Sequence, residues 1–192
     1  MEIRCLPATE AAAKRYAAEL WLPYHRDLEA NAEAHALADR PDEELIAAAT
    51  EFRLGLLREN DDYRTWVVTV DAETAADDTD TESLDLIDPA PVGVPDSDRD
   101  FAAFVSTSVD KCPAVFDRLD RLVVGDIYVT EPYRGSGLAD RLMERAAADA
   151  RDQDCGELRL DVDVDNDRAR AFYEKQGFEP YREQLTLDVD EV

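Results

Sequence analysis

Between Asp126 and Ala139 the sequence runs Asp-Ile-Tyr-Val-Thr-Glu-Pro-Tyr-Arg-Gly-Ser-Gly-Leu-Ala. β-Branched and aromatic residues up to Val129 predict the end of a strand over Arg121–Val129, and Pro132 predicts a turn. From Gly137 to about Gln153 the pattern becomes helical. Leu138, Leu142, Ala146 and Ala150 recur every four residues, with Met143 and Ala147 beside them. A strand thus passes through a glycine-containing loop into a helix N-terminus. The first N–H groups of a helix have no intrahelical partner and carry positive partial charge, so they bind phosphate without lysine. Gly135 and Gly137 permit positive φ and close approach to the backbone, Ala139 is small, and Arg134 adds a cation. The stretch reads as a site for a phosphorylated ligand held by main-chain N–H groups. The same glycines would also serve a tight turn that binds nothing. No Lys-Ser/Thr pair follows as a P-loop requires, and Asp140 stands where the dinucleotide fingerprint needs its third glycine.

Downstream, Glu157–Val164 alternates, with Leu158, Leu160, Val162 and Val164 on one face, and predicts a strand. Asn166 is placed to cap a helix over Asp165–Gln176, closed by Gly177. Ala169, Phe172 and Tyr173 share one face of it. Leu185–Val189 alternates as a final strand. Upstream, Ile3–Leu6 reads as a first strand. Thr9 is a candidate cap for a helix over Glu10–Leu22, with Pro23 interrupting before a second helical stretch at about His25–Leu37. Pro41-Asp42-Glu43-Glu44 opens a third helix running to Leu57, with acids at its positive end. Thr65–Val70 and Phe101–Val109 are strands. Asp71–Asp100 carries eleven acids against one base, Arg99, and reads as a solvated loop in which Val92-Gly93-Val94 starts a strand. The order describes a mixed α/β fold in one domain spanning residues 1–192, with the acidic loop at about 71–100.

Arg134-Gly135-Ser136-Gly137-Leu138-Ala139 resembles the R/Q-x-x-G-x-G/A signature of the GNAT superfamily of N-acetyltransferases. Asn166-x-x-Ala169-x-x-Phe172-Tyr173-x-Lys175-x-Gly177-Phe178 looks like that superfamily's second cofactor segment. The resemblance is close over about Asp126–Phe178. It implies a V-shaped mixed central sheet flanked by helices, and acetyl-coenzyme A as co-substrate. It further implies that main-chain groups of Ile127, Tyr128 and Val129 pair with the pantetheine arm. Those of Arg134, Gly135, Ser136, Gly137, Leu138 and Ala139 would hold the pyrophosphate, Asn166 would contact the cofactor, and Tyr173 would lie by the thioester sulfur.

The implied reaction is attack of a neutral amine on the thioester carbonyl, with coenzyme A leaving as a thiolate. An alkyl ammonium has a pKa near ~10.4, so a base must take its proton. Tyr173, with a reference pKa of about 10, can return one to the thiolate, whose thiol sits at about 8.5. Asp126 shares a strand face with Tyr128 and is the candidate base, although in so acidic a chain it also reads as an ordinary solvated acid. His25 and His35 fall in the helical region where this fold places its acceptor. Trp21, Tyr24 and Phe52 either line an acceptor pocket or pack helix faces. The acceptor is an amine on a small molecule or a protein. The alternative is a non-catalytic acyl-coenzyme A sensor or accessory module.

The chain has 192 residues, of which 46 are Asp or Glu and 21 are Lys or Arg, a net charge of −25. That balance excludes non-specific binding to nucleic acid or anionic membranes. No run approaches the ~20 apolar residues of a membrane span. The first residues lack the apolar core of a signal peptide, and Cys5, Cys112 and Cys155 form neither a disulfide framework nor a zinc pattern. Two histidines ten residues apart give no support to a metal site. A cytoplasmic protein, monomer or homodimer, is expected. Acids distributed from Glu2 to Glu191 predict adaptation to the concentrated salt of a halophile, where screening makes the self-repulsion tolerable.

Overall fold

A computed structural model describes residues 1–30, 35–71, 85–86 and 99–191. They form two compact units, Met1–Asp161 and Val162–Val192. Most of the acidic loop, including Val92–Val94, lies outside the described residues, as does the middle of the helix expected over His25–Leu37.

The first unit holds β1 (Glu2–Cys5), α1 (Glu10–Tyr16), a π-helical turn (Ala17–Trp21), α2 (Leu22–Glu29) and α3 (Asp42–Glu59). There follow β2 (Tyr63–Asp71), the two-residue β3 (Asp85–Leu86), β4 (Arg99–Asp110), β5 (Arg121–Val129), α4 (Leu138–Asp152) and β6 (Glu157–Leu160). The six-stranded sheet has the order β3-β1-β2-β4-β5-β6. It is mixed: β1–β2, β2–β4 and β4–β5 are antiparallel, while β1–β3 and β5–β6 are parallel.

Alternation along the strands sends side chains to two helical layers. On one face Val67, Phe101 and Phe104 pack with Leu6, Ala12, Tyr16 and Leu20, flanked by Trp21, Tyr24, Leu57 and Tyr128. On the other face Trp66 and Thr107 meet α4, whose Leu138, Leu142, Ala146 and Ala150 are buried at the expected four-residue spacing.

Thr9 caps α1 by accepting from the Ala12 N–H at 3.3 Å. Pro23 does not interrupt the helix that follows. The turn before it widens to a π-helix, in which the Leu22 N–H bonds the Ala17 carbonyl, and Pro23 enters α2 in its first turn. A wide turn absorbs the N–H that proline lacks, so the helix continues through it. α4 ends at Asp152, where Asp154 takes φ +56° and Gly156 serves a close approach: a Cβ there would stand 2.1 Å from Leu119 Cδ1.

Two one-residue register shifts bend the sheet. Ala102 is extra on β4 against β2, and Gly125–Asp126 oppose the single Ser106 on β5 against β4. Bulges increase local twist and re-aim side chains. The second one fixes where β5 and β6 part. They pair only from Arg121–Glu157 to Val124–Leu160, so the expected strand stops at Leu160 rather than Val164.

In the second unit α5 spans Asp167–Lys175. Leu185–Val189 is not a strand. Residues 178–188 have no regular structure, Val189–Glu191 is a 3₁₀ turn, and Leu185 is 90% exposed. Alternation suits a chain to a sheet, but a strand forms only where a neighbour completes its ladder.

Candidate active site

The site is built where β5 gives way to α4. Thr130 N–H and Oγ1 both donate to the Ala102 carbonyl at 2.9 Å, closing the end of the β4–β5 pair. Antiparallel neighbours alternate, so Tyr128 exchanges main-chain bonds with Phe104, while the main-chain groups of Ile127 and Val129 face the opposite edge. Pairing with β6 ends at Val124, so this edge is the one that an extended ligand could join as a strand does. Of the three residues expected to offer main chain, Ile127 and Val129 present it outward and Tyr128 spends its own on β4.

After Val129 the chain makes a 3₁₀ turn over Glu131–Tyr133, with Tyr133 buried. Ser136 Oγ donates to the Tyr133 carbonyl at 2.6 Å, tightening the loop. Gly135 and Gly137 take φ +79° and +85°, conformations closed to most L-residues, and a Cβ on either would meet no protein atom within 4 Å. Both glycines therefore answer the turn's geometry and leave the surface beside the main chain open. Gly137 occupies the N-cap position of α4 and offers no side chain to its N–H groups. The first intrahelical bond reaches from Arg141 N–H to the Gly137 carbonyl at 3.1 Å. The N–H groups of Leu138 and Ala139 precede it and project at the positive end of the helix.

Arg134 does not project toward that turn's N–H groups. Its Nε donates to the Val129 carbonyl at 3.2 Å, and its Nη2 bonds the Asp27 carboxylate on α2. Tyr128 donates its hydroxyl to the same carboxylate at 3.1 Å. Burial, then the Asp27 charge, raises the Tyr128 pKa, which keeps that hydroxyl a donor.

A sequence model of the acetyltransferase (GNAT) family matches residues 6–178. The chain belongs to that family. As a GNAT acetyltransferase it is an acyltransferase, and solved structures share its fold. A variant of the BH1408 protein of Bacillus halodurans is 17% identical with a TM-score of 0.67, covering 98% of this chain and 99% of its own. Aminoglycoside N-acetyltransferase AAC(6')-Iy in complex with CoA is 16% identical, with a TM-score of 0.56 and coverage of 97% and 92%. Glucosamine-6-phosphate N-acetyltransferase from Arabidopsis thaliana is 20% identical, with a TM-score of 0.54 and coverage of 98% and 97%. At such identities the likeness is one of fold. No curated protein is matched on sequence.

Beside the loop of this GNAT acetyltransferase, the helix-facing side of β5 carries Asp126. The β5 bulge sets its direction: its N–H donates to Ser106 Oγ at 2.9 Å, and a Cβ on Gly125 would fall 2.7 Å from that oxygen. The Asp126 carboxylate, 37% exposed, accepts from the Tyr24 hydroxyl at 3.2 Å and lies 4.0 Å from the Arg53 guanidinium. Asp126 and Tyr128 share one face, as expected, and Tyr24 touches both, its ring 5.5 Å from that of Tyr128.

Arg53 is buried on α3, donating to Tyr16 Oη at 3.0 Å and Thr65 Oγ1 at 3.3 Å. Burial drives the Tyr16 pKa up, so this phenol stays neutral beside the guanidinium. His25 makes tilted ring contacts with Trp21, at 4.3 Å, and Tyr24, at 4.9 Å. Burial lowers its pKa against the opposing pull of Asp126. Phe52 is 66% exposed and joins neither Trp21 nor Tyr24 in the core cluster.

Sequence reading missed Arg53, Tyr24's hydroxyl bond and Asp27. Arg53 had a signal: Leu45, Ala49 and Arg53 repeat at four residues along the buried face of α3. The bonds from Tyr24 and Asp27 join residues about a hundred positions apart, and nothing local announces them.

In the second unit the Asn166 side chain caps α5, accepting from the Ala169 N–H at 3.0 Å. Tyr173 is buried, its ring 5.4 Å from Phe172 and 5.7 Å from Phe178. Among the described residues no cluster of His, Cys, Asp or Glu is arranged to hold a metal ion, and no helix is long and apolar enough to cross a membrane.

Proposed function

We propose that the protein is an N-acetyltransferase that carries acetyl from acetyl-coenzyme A to an amine by direct attack. The observation that carries this reading is the pair of main-chain donor sets on either side of one tight turn. Ile127 and Val129 present theirs along the open edge of β5, and the uncapped N–H groups of Leu138 and Ala139 follow across a turn made by Gly135 and Gly137. A pantetheine arm can extend one edge as a strand would, and a diphosphate suits the helix N-terminus.

Within this proposal the residues of the chain have distinct tasks. Main-chain groups of Ile127 and Val129 orient the pantetheine, with Tyr128 contributing through its hydroxyl network. Main-chain N–H groups of the Arg134–Ala139 loop, those of Leu138 and Ala139 foremost, hold the diphosphate, and Asn166 contacts the cofactor beyond the next strand. Asp126 accepts the amine proton directly or through water. The amine nitrogen bonds the thioester carbon, an N–H at the end of β5 stabilises the oxyanion, the C–S bond breaks, and Tyr173 protonates the departing thiolate. No metal enters this scheme. The burial-depressed pKa of His25 leaves it neutral near pH 7, so its charge does not oppose an ammonium substrate.

The net charge of −25 supports a working environment of concentrated salt, as in a halophile's cytoplasm. It favours amine acceptors over nucleic acid or membrane surfaces. The test is release of free thiol from acetyl-coenzyme A with a panel of amines in molar KCl. Turnover with at least one amine is expected. Saturable coenzyme binding without thiol release from any amine would instead establish the sensor module.

A further inference from the structure

We propose that Asp27 is a positioning residue for the coenzyme loop: it holds the Arg134 guanidinium against the end of β5, so that this arginine braces the loop's main chain instead of contacting phosphate. The proposal rests on the coenzyme reading above. Its ground is the way the guanidinium is already committed. Arg134 Nε donates to the Val129 carbonyl at 3.2 Å, bridging the turn from Val129 to Arg134. Nη2 bonds Asp27 Oδ2 and lies 3.5 Å from the Tyr128 hydroxyl, which itself donates to Asp27 Oδ2 at 3.1 Å. The guanidinium also stacks over the Tyr128 ring at 5.7 Å.

Strand, loop and α2 thus meet at one carboxylate. Pairing cancels the Arg134 charge locally, which leaves the main-chain donors and the helix dipole as the attraction for a diphosphate. Arg134 and Asp27 are 31% and 48% exposed, and a pair at such exposure adds little to stability. Its effect lies in geometry, because three groups share one arrangement and a change in any of them re-aims the turn. α2 carries Tyr24 as well, whose hydroxyl bonds Asp126. Asp27 therefore ties the loop to the same helix that meets the candidate base.

The sign of one measurement separates this role from simple electrostatics. Removing a carboxylate near an anion site strengthens anion binding if charge alone acts. If Asp27 positions the loop, its loss weakens binding. The experiment is calorimetric titration of coenzyme A, at one fixed KCl concentration, into the full-length wild type, Asp27→Asn, Arg134→Met, the double variant and Tyr128→Phe. Saturation of the wild type settles the coenzyme reading by itself, independently of the variants.

Given saturation, Asp27→Asn is expected to weaken binding about tenfold, and the double variant to lose no more than the weaker-binding single, as coupled residues do. Tyr128→Phe, which removes one hydroxyl bond and keeps the ring, is expected to weaken binding a few-fold. It serves as the test if Asp27→Asn does not fold. Steady-state kinetics should show the loss in KM for acetyl-coenzyme A with kcat retained. Unchanged or tighter binding in Asp27→Asn, or in Tyr128→Phe where that variant stands in, would overturn the proposal. So would losses that simply add in the double variant.

Discussion

Tyr173 and His25 illustrate how one side chain's surroundings define its use. A phenol near pKa ~10 is a weak acid in water, but a thiolate whose conjugate thiol sits at about 8.5 can take its proton once the C–S bond is breaking. In the proposed reaction Tyr173→Phe keeps the ring packed against Phe172 and Phe178 and removes the hydroxyl. The expected result is a fall in kcat of about a hundredfold with KM for acetyl-coenzyme A unchanged, within the range general acids contribute. Single-turnover measurement checks it, and a variant with full chemical rate would remove Tyr173 from the mechanism. His25 predicts a pH effect on stability. Burial lowers its pKa in the folded chain, whereas the unfolded chain protonates it near pH ~6.5. Between those values the unfolded state binds more protons, so stability rises with pH through the window and is lost as pH falls below about 6.5. Thermal unfolding of the wild type and His25→Gln from pH 5 to pH 7 should show a shallower dependence in the variant. Parallel curves would mean that the imidazole is not the source.

α4 supplies the N–H groups of the loop only if it is seated on the sheet at a fixed height. Its anchor is Asp149, 2% exposed, whose Oδ2 accepts from Thr107 Oγ1 at 2.7 Å and Trp66 Nε1 at 3.3 Å. Oδ1 accepts from Gln153 Nε2 at 3.2 Å and pairs with the Arg64 guanidinium at 3.3 Å. Asp149→Asn removes the negative charge and leaves Arg64 beside a neutral amide. Breaking a buried pair in this way costs roughly 3–5 kcal/mol. Urea unfolding should show that loss as a lower midpoint with an unchanged slope, and a midpoint within experimental error of wild type would deny Asp149 its anchoring role. The elements around this anchor were largely legible in the sequence. Leu138, Leu142, Ala146 and Ala150 fix α4 by their spacing, and Gly135 and Gly137 mark the loop because positive φ is a local demand. What escaped the sequence depends on distant partners. Pro23 reads as a break until the π-turn before it accommodates the missing N–H. Leu185–Val189 has a strand's alternation and, among the described residues, pairs with no strand. Asp149 itself reads as one more surface acid, since its four partners are Arg64 and Trp66 on β2, Thr107 on β4 and Gln153 just past the helix end.

At the scale of the whole molecule, charge dominates. Even if each of the 21 bases neutralised one acid, 25 carboxylates would remain uncompensated. Repulsion among them acts across the surface at low salt, where the Debye length is about 10 Å at 0.1 M, and fades as it shortens to about 3 Å at 1 M. Added salt also weakens exposed ion pairs such as Arg26–Asp42, but each of those contributes only about 0–1 kcal/mol. The surplus of like charge is therefore expected to prevail, and the thermal unfolding midpoint should rise as KCl increases from about 0.1 M to about 1 M. The same field acts on a coenzyme that carries phosphates. A site built on basic side chains would bind such an anion less tightly as salt is added. Here the donors are main-chain N–H groups and the loop's own Arg134 guanidinium is paired with Asp27, so the long-range force on the ligand from the net charge is repulsion. Coenzyme A affinity should increase several-fold over that same range of KCl, measured by calorimetry on folded protein. Affinity that declines steadily with salt would show that local cations, and not the uncapped end of α4, govern the encounter.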